Sequence, residues 1–119
     1  MYHNVVPHHA SLGHDQQGIT LRERDFIKQV NALNKIYQFV SLEDYLNEWR
    51  TTGKQPFFKA VLTFDDGTWS TYEHGVNFLI DREIPSLIFV NTCQIDKGPL
   101  IWGGYLNAVC YESQYKFLE

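Results

Sequence analysis

The chain has 119 residues, 44% of them apolar, 15% aromatic and 20% charged, with 10 basic against 14 acidic side chains and a formal charge of −4 at neutral pH. This composition belongs to a folded domain, one at most, and excludes a disordered or fibrous chain. The acidic balance, with no run of Lys or Arg, argues against binding to nucleic acid or an anionic membrane through a basic patch, and no apolar stretch approaches the roughly 18 residues that span a bilayer.

In chain order, residues 1–6 read as a short strand and residues 7–19 as a loop. His3 stands on the strand, and His8, His9 and His14 on the loop. The opening has neither a basic start nor a long apolar block, so it does not read as a signal peptide. Thr20 and Glu23 fit a capping box, in which hydroxyl and carboxylate each satisfy a free N–H at a helix start. Phe26, Val30, Leu33 and Tyr37 then follow at helical spacing, one apolar stripe. A short strand is expected at 38–40. Ser41 to Asp44 opens a second helix with Leu42, Tyr45, Leu46 and Trp49 as its apolar members, and Gly53 and Pro56 close it.

Residues 57–64 (FFKAVLTF) form a nearly continuous apolar, β-branched and aromatic run, which predicts a strand buried on both faces. It ends at Asp65-Asp66-Gly67. Ser70 and Glu73 give a third capping box, with Val76, Leu79 and Ile80 as the inner face of the helix. Ile84-Pro85 stops that helix, and residues 86–90 (SLIFV) predict a second buried strand. Residues 58–90 thus read as a strand–helix–strand unit with parallel strands and a right-handed crossover, an α/β arrangement. Beyond it, Gly98-Pro99 marks a turn and 104–115 an aromatic-rich helix. Cys93 and Cys110 fit either a disulfide or two reduced core thiols, and neither stands in a CxxC spacing.

The stretch that carries chemistry is Leu62 to Gly67 (LTFDDG). Two adjacent carboxylates directly after a buried strand lie where parallel α/β folds place their active sites. Adjacent carboxylates repel unless their roles are divided, and a metal ion on one with a proton-accepting role for the other is one division. Asp-Asp-Gly is equally good chemistry for a plain surface turn. Two phosphoryl-transfer patterns fail. A dehalogenase-type loop needs an Asp two positions before Asp66, where this chain has Phe64, and the phosphate-cradling GxxxxGK[ST] does not occur.

Thr63-Phe64-Asp65-Asp66-Gly67 resembles the first motif of the polysaccharide deacetylases (carbohydrate esterase family 4, the NodB-like domains). Met1 to Pro7 (MYHNVVP) is similar to the MYH-x-V-x-P opening of one branch of that family. Phe26–Gln29 through Phe39–Leu42 resembles the helix and "vSLdel" segment before the motif, and Ile84 to Phe89 the "GIPATFF" strand after it. The likeness runs over residues 1–102 in the same order. It implies part of a distorted (β/α) barrel with parallel strands, truncated after about half, with 1–119 as a partial domain. It also implies hydrolysis of N-acetyl groups on an N-acetylhexosamine polymer, with a carbohydrate polymer as partner. Asp65 would be the general base, Asp66 a ligand of a divalent metal, usually zinc, and His3 would lie near the same end of the barrel, on the substrate side. The residue types suit that chemistry, since a metal acidifies bound water while a free carboxylate accepts the proton. His3 reads alternatively as part of a polar rim. Trp69, beside the motif, reads either as a surface on which a sugar ring stacks or as a packing residue. Trp102 and Tyr105 read first as packing residues.

The chain departs from the family pattern after residue 74. The H-[ST]-x-x-H pair that completes the metal site is absent, since no histidine follows His74, and the later Arg and His motifs are missing too. One carboxylate is short of the three protein ligands usual for catalytic zinc. The amino-terminal histidines are substitutes by type, although a histidine-bearing loop reads more simply. A half-barrel also leaves an unpaired strand edge, which implies a missing carboxyl-terminal half or a homo-oligomer that covers it. The competing expectation is a non-catalytic carbohydrate-binding or interaction remnant.

Overall fold

The computed structural model describes residues 1–10, 12 and 19–92. Its elements are β1 (Asn4–Val6), β2 (Thr20–Arg22), α1 (Glu23–Leu33), β3 (Gln38–Phe39), α2 (Leu42–Thr52), β4 (Lys59–Ala60), β5 (Leu62–Phe64), α3 (Trp69–Thr71), a π-helical turn (Tyr72–Val76), α4 (Asn77–Ile80) and β6 (Ser86–Ile88). The strands form three parallel pairs, β1 with β2, β3 with β4, and β5 with β6. A parallel bridge between Tyr2 and Phe64 joins the first pair to the third. The architecture is therefore mixed helix and strand with parallel pairing, and the described strands do not close into a barrel. The Gly98-Pro99 turn, the 104–115 helix, Cys93, Cys110, Trp102, Tyr105 and His14 lie outside the described residues.

The expected strand–helix–strand unit is present, although residues 86–90 are not the buried strand expected: β6 ends at Ile88, none of its residues is buried, and Phe89 and Val90 are exposed. β5 pairs with β6 in the register Leu62↔Ser86, Thr63↔Leu87 and Phe64↔Ile88, with α3, the π turn and α4 between them. The buried side chains come from both ends of the described chain: Val5 on β1, Phe26 and Val30 on α1, Leu62 and Phe64 on β5, and Val76, Phe78 and Leu79 on the last helical segment. Phe26 sits at the centre. Its ring meets Tyr2 edge-on at 5.0 Å, Phe64 at 5.7 Å and Phe78 at 6.1 Å. Such aromatic pairs add about 0.5–1.5 kcal/mol beyond the area they bury. Gly75 lets the π turn lie close to β1 and β5, since a Cβ there would stand 3.2 Å from Val5 Cγ2 and 3.5 Å from Phe64 Cε1.

Four local expectations are corrected. Thr20 does not cap a helix. It pairs with Asn4 in β2, and α1 starts at Glu23 behind Arg22, which makes no side-chain cap. The sheet partner offered by β1 outweighs the local cap. Residues 57–64 are not one doubly buried strand. Phe57 is 85% exposed, Phe58 has a left-handed φ of 53°, and the strand is interrupted at Val61. Only Leu62 and Phe64 are buried, alternating with Thr63, because the core covers one face of β5. The third helix is capped by Thr68, whose Oγ1 accepts from Thr71 N, and not by Ser70. Its expected inner residue Ile80 is exposed, as are Leu33 and Tyr37 from the α1 stripe. By contrast α2 begins and ends as its sequence says, with Ser41 accepting from Asp44 N and Gly53 in the left-handed conformation that a C-cap favours.

Candidate functional site

The site is built by a register between distant segments. Tyr2 N donates to Thr63 O and Asp65 N donates to Tyr2 O, both at 2.9 Å, so β1 continues onward from the level at which β5 ends. His3 is thereby placed level with Asp65. Asp66 and Gly67 follow with φ of 73° and 64°, two successive left-handed residues that turn the chain out of the strand direction. Gly67 meets that requirement freely, and aspartate is among the few other residues that tolerate it. Gly67 also lies against Val90, which follows β6: a Cβ would stand 3.2 Å from Val90 Cγ2, close enough that Val90 would have to shift.

Both carboxylates face one imidazole. His3 Nδ1 lies 3.3 Å from Asp66 Oδ2, and His3 Nε2 lies 3.9 Å from Asp65 Oδ2. All three side chains are about one-third exposed. A neutral ring donates to one carboxylate only, whereas an imidazolium offers a proton to each and offsets their mutual repulsion. The structure thus brings together Asp65, Asp66 and His3, the first two expected as chemical groups and the third as a neighbour.

The backbone on either side of this triad is tied by hydroxyls. Thr71 Oγ1 donates to His3 O at 3.1 Å and accepts from Val5 N at 3.2 Å, and Ser70 Oγ donates to Val5 O at 2.7 Å. These side chains serve β1 where a neighbouring strand would. Thr68 Oγ1 donates to Asn4 Oδ1 at 3.0 Å and lies 2.8 Å from Thr71 Oγ1. Reading the sequence for chemistry missed Thr68, Thr71 and Asn4. The only local signal was Thr68 three residues before Thr71, a capping spacing overshadowed by Ser70 and Glu73.

The other expected residues are placed as follows. Trp69 is 73% exposed, and its ring packs on Tyr72 at 5.3 Å and 37°. It is therefore not a core residue. His74 bridges two carboxylates of its own, Glu23 at 3.4 Å and Glu73 at 3.7 Å, which binds the π turn to α1. His8 and His9 pack edge to face on each other at 5.2 Å.

The 3.3 Å between His3 Nδ1 and Asp66 Oδ2 is about the separation of two ligands on a tetrahedral zinc with bonds of roughly 2.0–2.1 Å. Asp65 faces the opposite ring nitrogen, so it does not join them. Among the described residues no group of three or more His, Cys, Asp and Glu side chains is arranged to hold a metal ion. Two donors fit one cation, and the third ligand of a catalytic zinc is not among the described residues. Compared with known proteins, the chain matches no family model, no curated protein and no solved structure.

Proposed function

We propose that this chain carries the amino-terminal part of a metal-dependent polysaccharide deacetylase, a hydrolase acting on the N-acetyl groups of an N-acetylhexosamine polymer. The observation that carries the reading is the pair Asp65 and Asp66 at the end of β5, facing His3 from two sides. The parallel strand pairs suit part of a distorted (β/α) barrel. Asp65, whose partner nitrogen is 3.9 Å away, is the freer carboxylate and takes the proton from the attacking water. Asp66 and His3 Nδ1 supply two donors for a divalent cation, zinc by ligand type, which when bound polarises the amide carbonyl. The exposed Trp69, backed by Tyr72, offers a ring face to the apolar side of a sugar.

Zinc titration by calorimetry tests this on the wild type, Asp66→Asn and Asp65→Asn. The expected result is micromolar or tighter binding that weakens at least about tenfold in Asp66→Asn and persists in Asp65→Asn. Equal binding by all three, or none by the wild type, overturns the reading of Asp66 as a ligand. The incomplete ligand set together with the exposed aromatic pair favours a second reading, a carbohydrate-binding remnant without catalysis. Such a remnant keeps its affinity for N-acetylglucosamine oligomers after chelator treatment and after Asp66→Asn, and loses it in Trp69→Ala.

A further inference from the structure

We propose that Thr71 is a positioning residue of the candidate site: its buried hydroxyl fixes the backbone of His3 against the segment that carries Asp66. The pairing of β1 with β5 ends at the Tyr2–Phe64 bridge, and beyond it the chain after β5 turns away through Asp66 and Gly67. Asn4–Val6 pair with β2 on one side, and on the other the backbone of His3 and Val5 takes its partners from side chains. Thr71 Oγ1 has one proton and two lone pairs. The proton goes to His3 O at 3.1 Å, one lone pair takes Val5 N–H at 3.2 Å, and the other faces Thr68 Oγ1, 2.8 Å away, whose single proton is shared between Thr71 Oγ1 and Asn4 Oδ1. All its directions are used, and the residue is 1% exposed.

Thr68 closes the link. It lies two residues after Asp66, accepts from Thr71 N at 3.3 Å and donates to Asn4 Oδ1 at 3.0 Å. Two hydroxyls thus join the backbone of His3 to the backbone that follows Asp66, and the 3.3 Å approach of the two side chains depends on that join. Three observations set Thr71 apart from an ordinary packing residue. It is the one buried polar side chain among the described residues, its hydroxyl binds the backbone of both His3 and Val5 beside a longer 3.5 Å contact to Asn4 Oδ1, and the two backbone bonds flank the site from one side. The π-helical turn begins at the next residue, and such turns re-aim side chains relative to the helix around them.

The geometry concerned stands apart from the deacetylase reading; only its consequence for cation binding rests on that reading. The test compares the full chain as wild type, Thr71→Val, which keeps shape and removes the hydroxyl, and Thr71→Ser, which restores it. The first readout needs no metal: the nuclear Overhauser effect between the His3 ring protons and the Asp66 β protons, with the amide shifts of Val30 and Leu79 as controls for an intact core. The expected result is an effect present in the wild type and Thr71→Ser, and lost in Thr71→Val with the control shifts unchanged. Persistence of the effect in Thr71→Val overturns the proposal, whatever zinc does. If Thr71→Val fails to fold, Thr68→Val decides: it cuts the join while sparing both bonds to β1, so an unweakened effect there is equally fatal. The second readout is zinc affinity, expected to fall at least about tenfold in Thr71→Val and to return in Thr71→Ser. No zinc binding by any of the three proteins counts against the deacetylase reading alone, and the first readout still decides the role of Thr71.

Discussion

Asp66 holds a charged side chain beside a histidine and a backbone in a region that most residues avoid. These two demands are separable by substitution. Asparagine tolerates the left-handed conformation nearly as well as aspartate, so Asp66→Asn removes the charge and leaves the turn. A β-branched residue does the reverse damage. Denaturant unfolding is expected to place Asp66→Asn within about 0.5 kcal/mol of the wild type and Asp66→Val about 1–2 kcal/mol below it. Equal losses in the two variants would show that the charge, and not the backbone, dominates at this position. Tyr2 gives a second residue-scale expectation. Burial beneath Phe26 and Phe64 raises its phenol above the ordinary 10.0, because the anion is poorly solvated there. The folded state then keeps a proton that the unfolded chain gives up. Stability from this group is complete below pH 10 and is lost as the pH rises toward the higher folded value. Tyr2→Phe should flatten that alkaline decline, as read from unfolding midpoints between neutral pH and the phenol range. At this scale the sequence was legible where residue type alone sets the chemistry, as in Asp65, Asp66 and Gly67. Thr71 was not, because a threonine inside a helical segment says nothing of the strand its hydroxyl will meet.

Among the elements, α2 has no fully buried residue, and Leu42 and Trp49 on its apolar side stay substantially exposed. Its order comes from local devices: the Ser41 cap, the left-handed Gly53 and the ion pair between Glu48 and Lys59 on β4. Ser41 also donates to Asp44 Oδ2 at 2.7 Å, so serine and aspartate hold each other at the helix start. Ser41→Ala is expected to cost about 1 kcal/mol and to act first on α2, visible as faster hydrogen exchange in residues 42–52 with α1 unaffected. Exchange that rises equally in α1 would show that the two helices open as one unit. Local devices explain why α2 could be read from its residues. The segments that misled, Thr20 and residues 57–64, are those where the outcome depends on a distant strand or on which face finds cover. Thr20 carries a good cap pattern and loses it to β1, and Phe57 carries strong strand propensity and finds nothing to pack against among the core residues.

Over the molecule as a whole, the two long helices and the parallel strand–helix–strand unit were legible, because apolar runs separated by turn signals report both, whereas β2 was hidden behind a cap pattern. The junction of β1 with β5 was not legible from pattern, since a single bridge at Tyr2 carries it. That junction has a consequence for folding kinetics and for how the chain responds to what it binds. His3 and Asp66 are 63 positions apart, so their meeting closes a long loop and follows the local contacts of the helices in time. A molecule gripped by both residues finds no foothold on the unfolded chain and acts as a clasp on the folded one. At a hundredfold excess over its dissociation constant such a clasp adds roughly 2.7 kcal/mol to the stability of the fold. Any ligand that bridges the two carboxylates and the histidine would therefore be read directly as a gain in heat resistance of the chain.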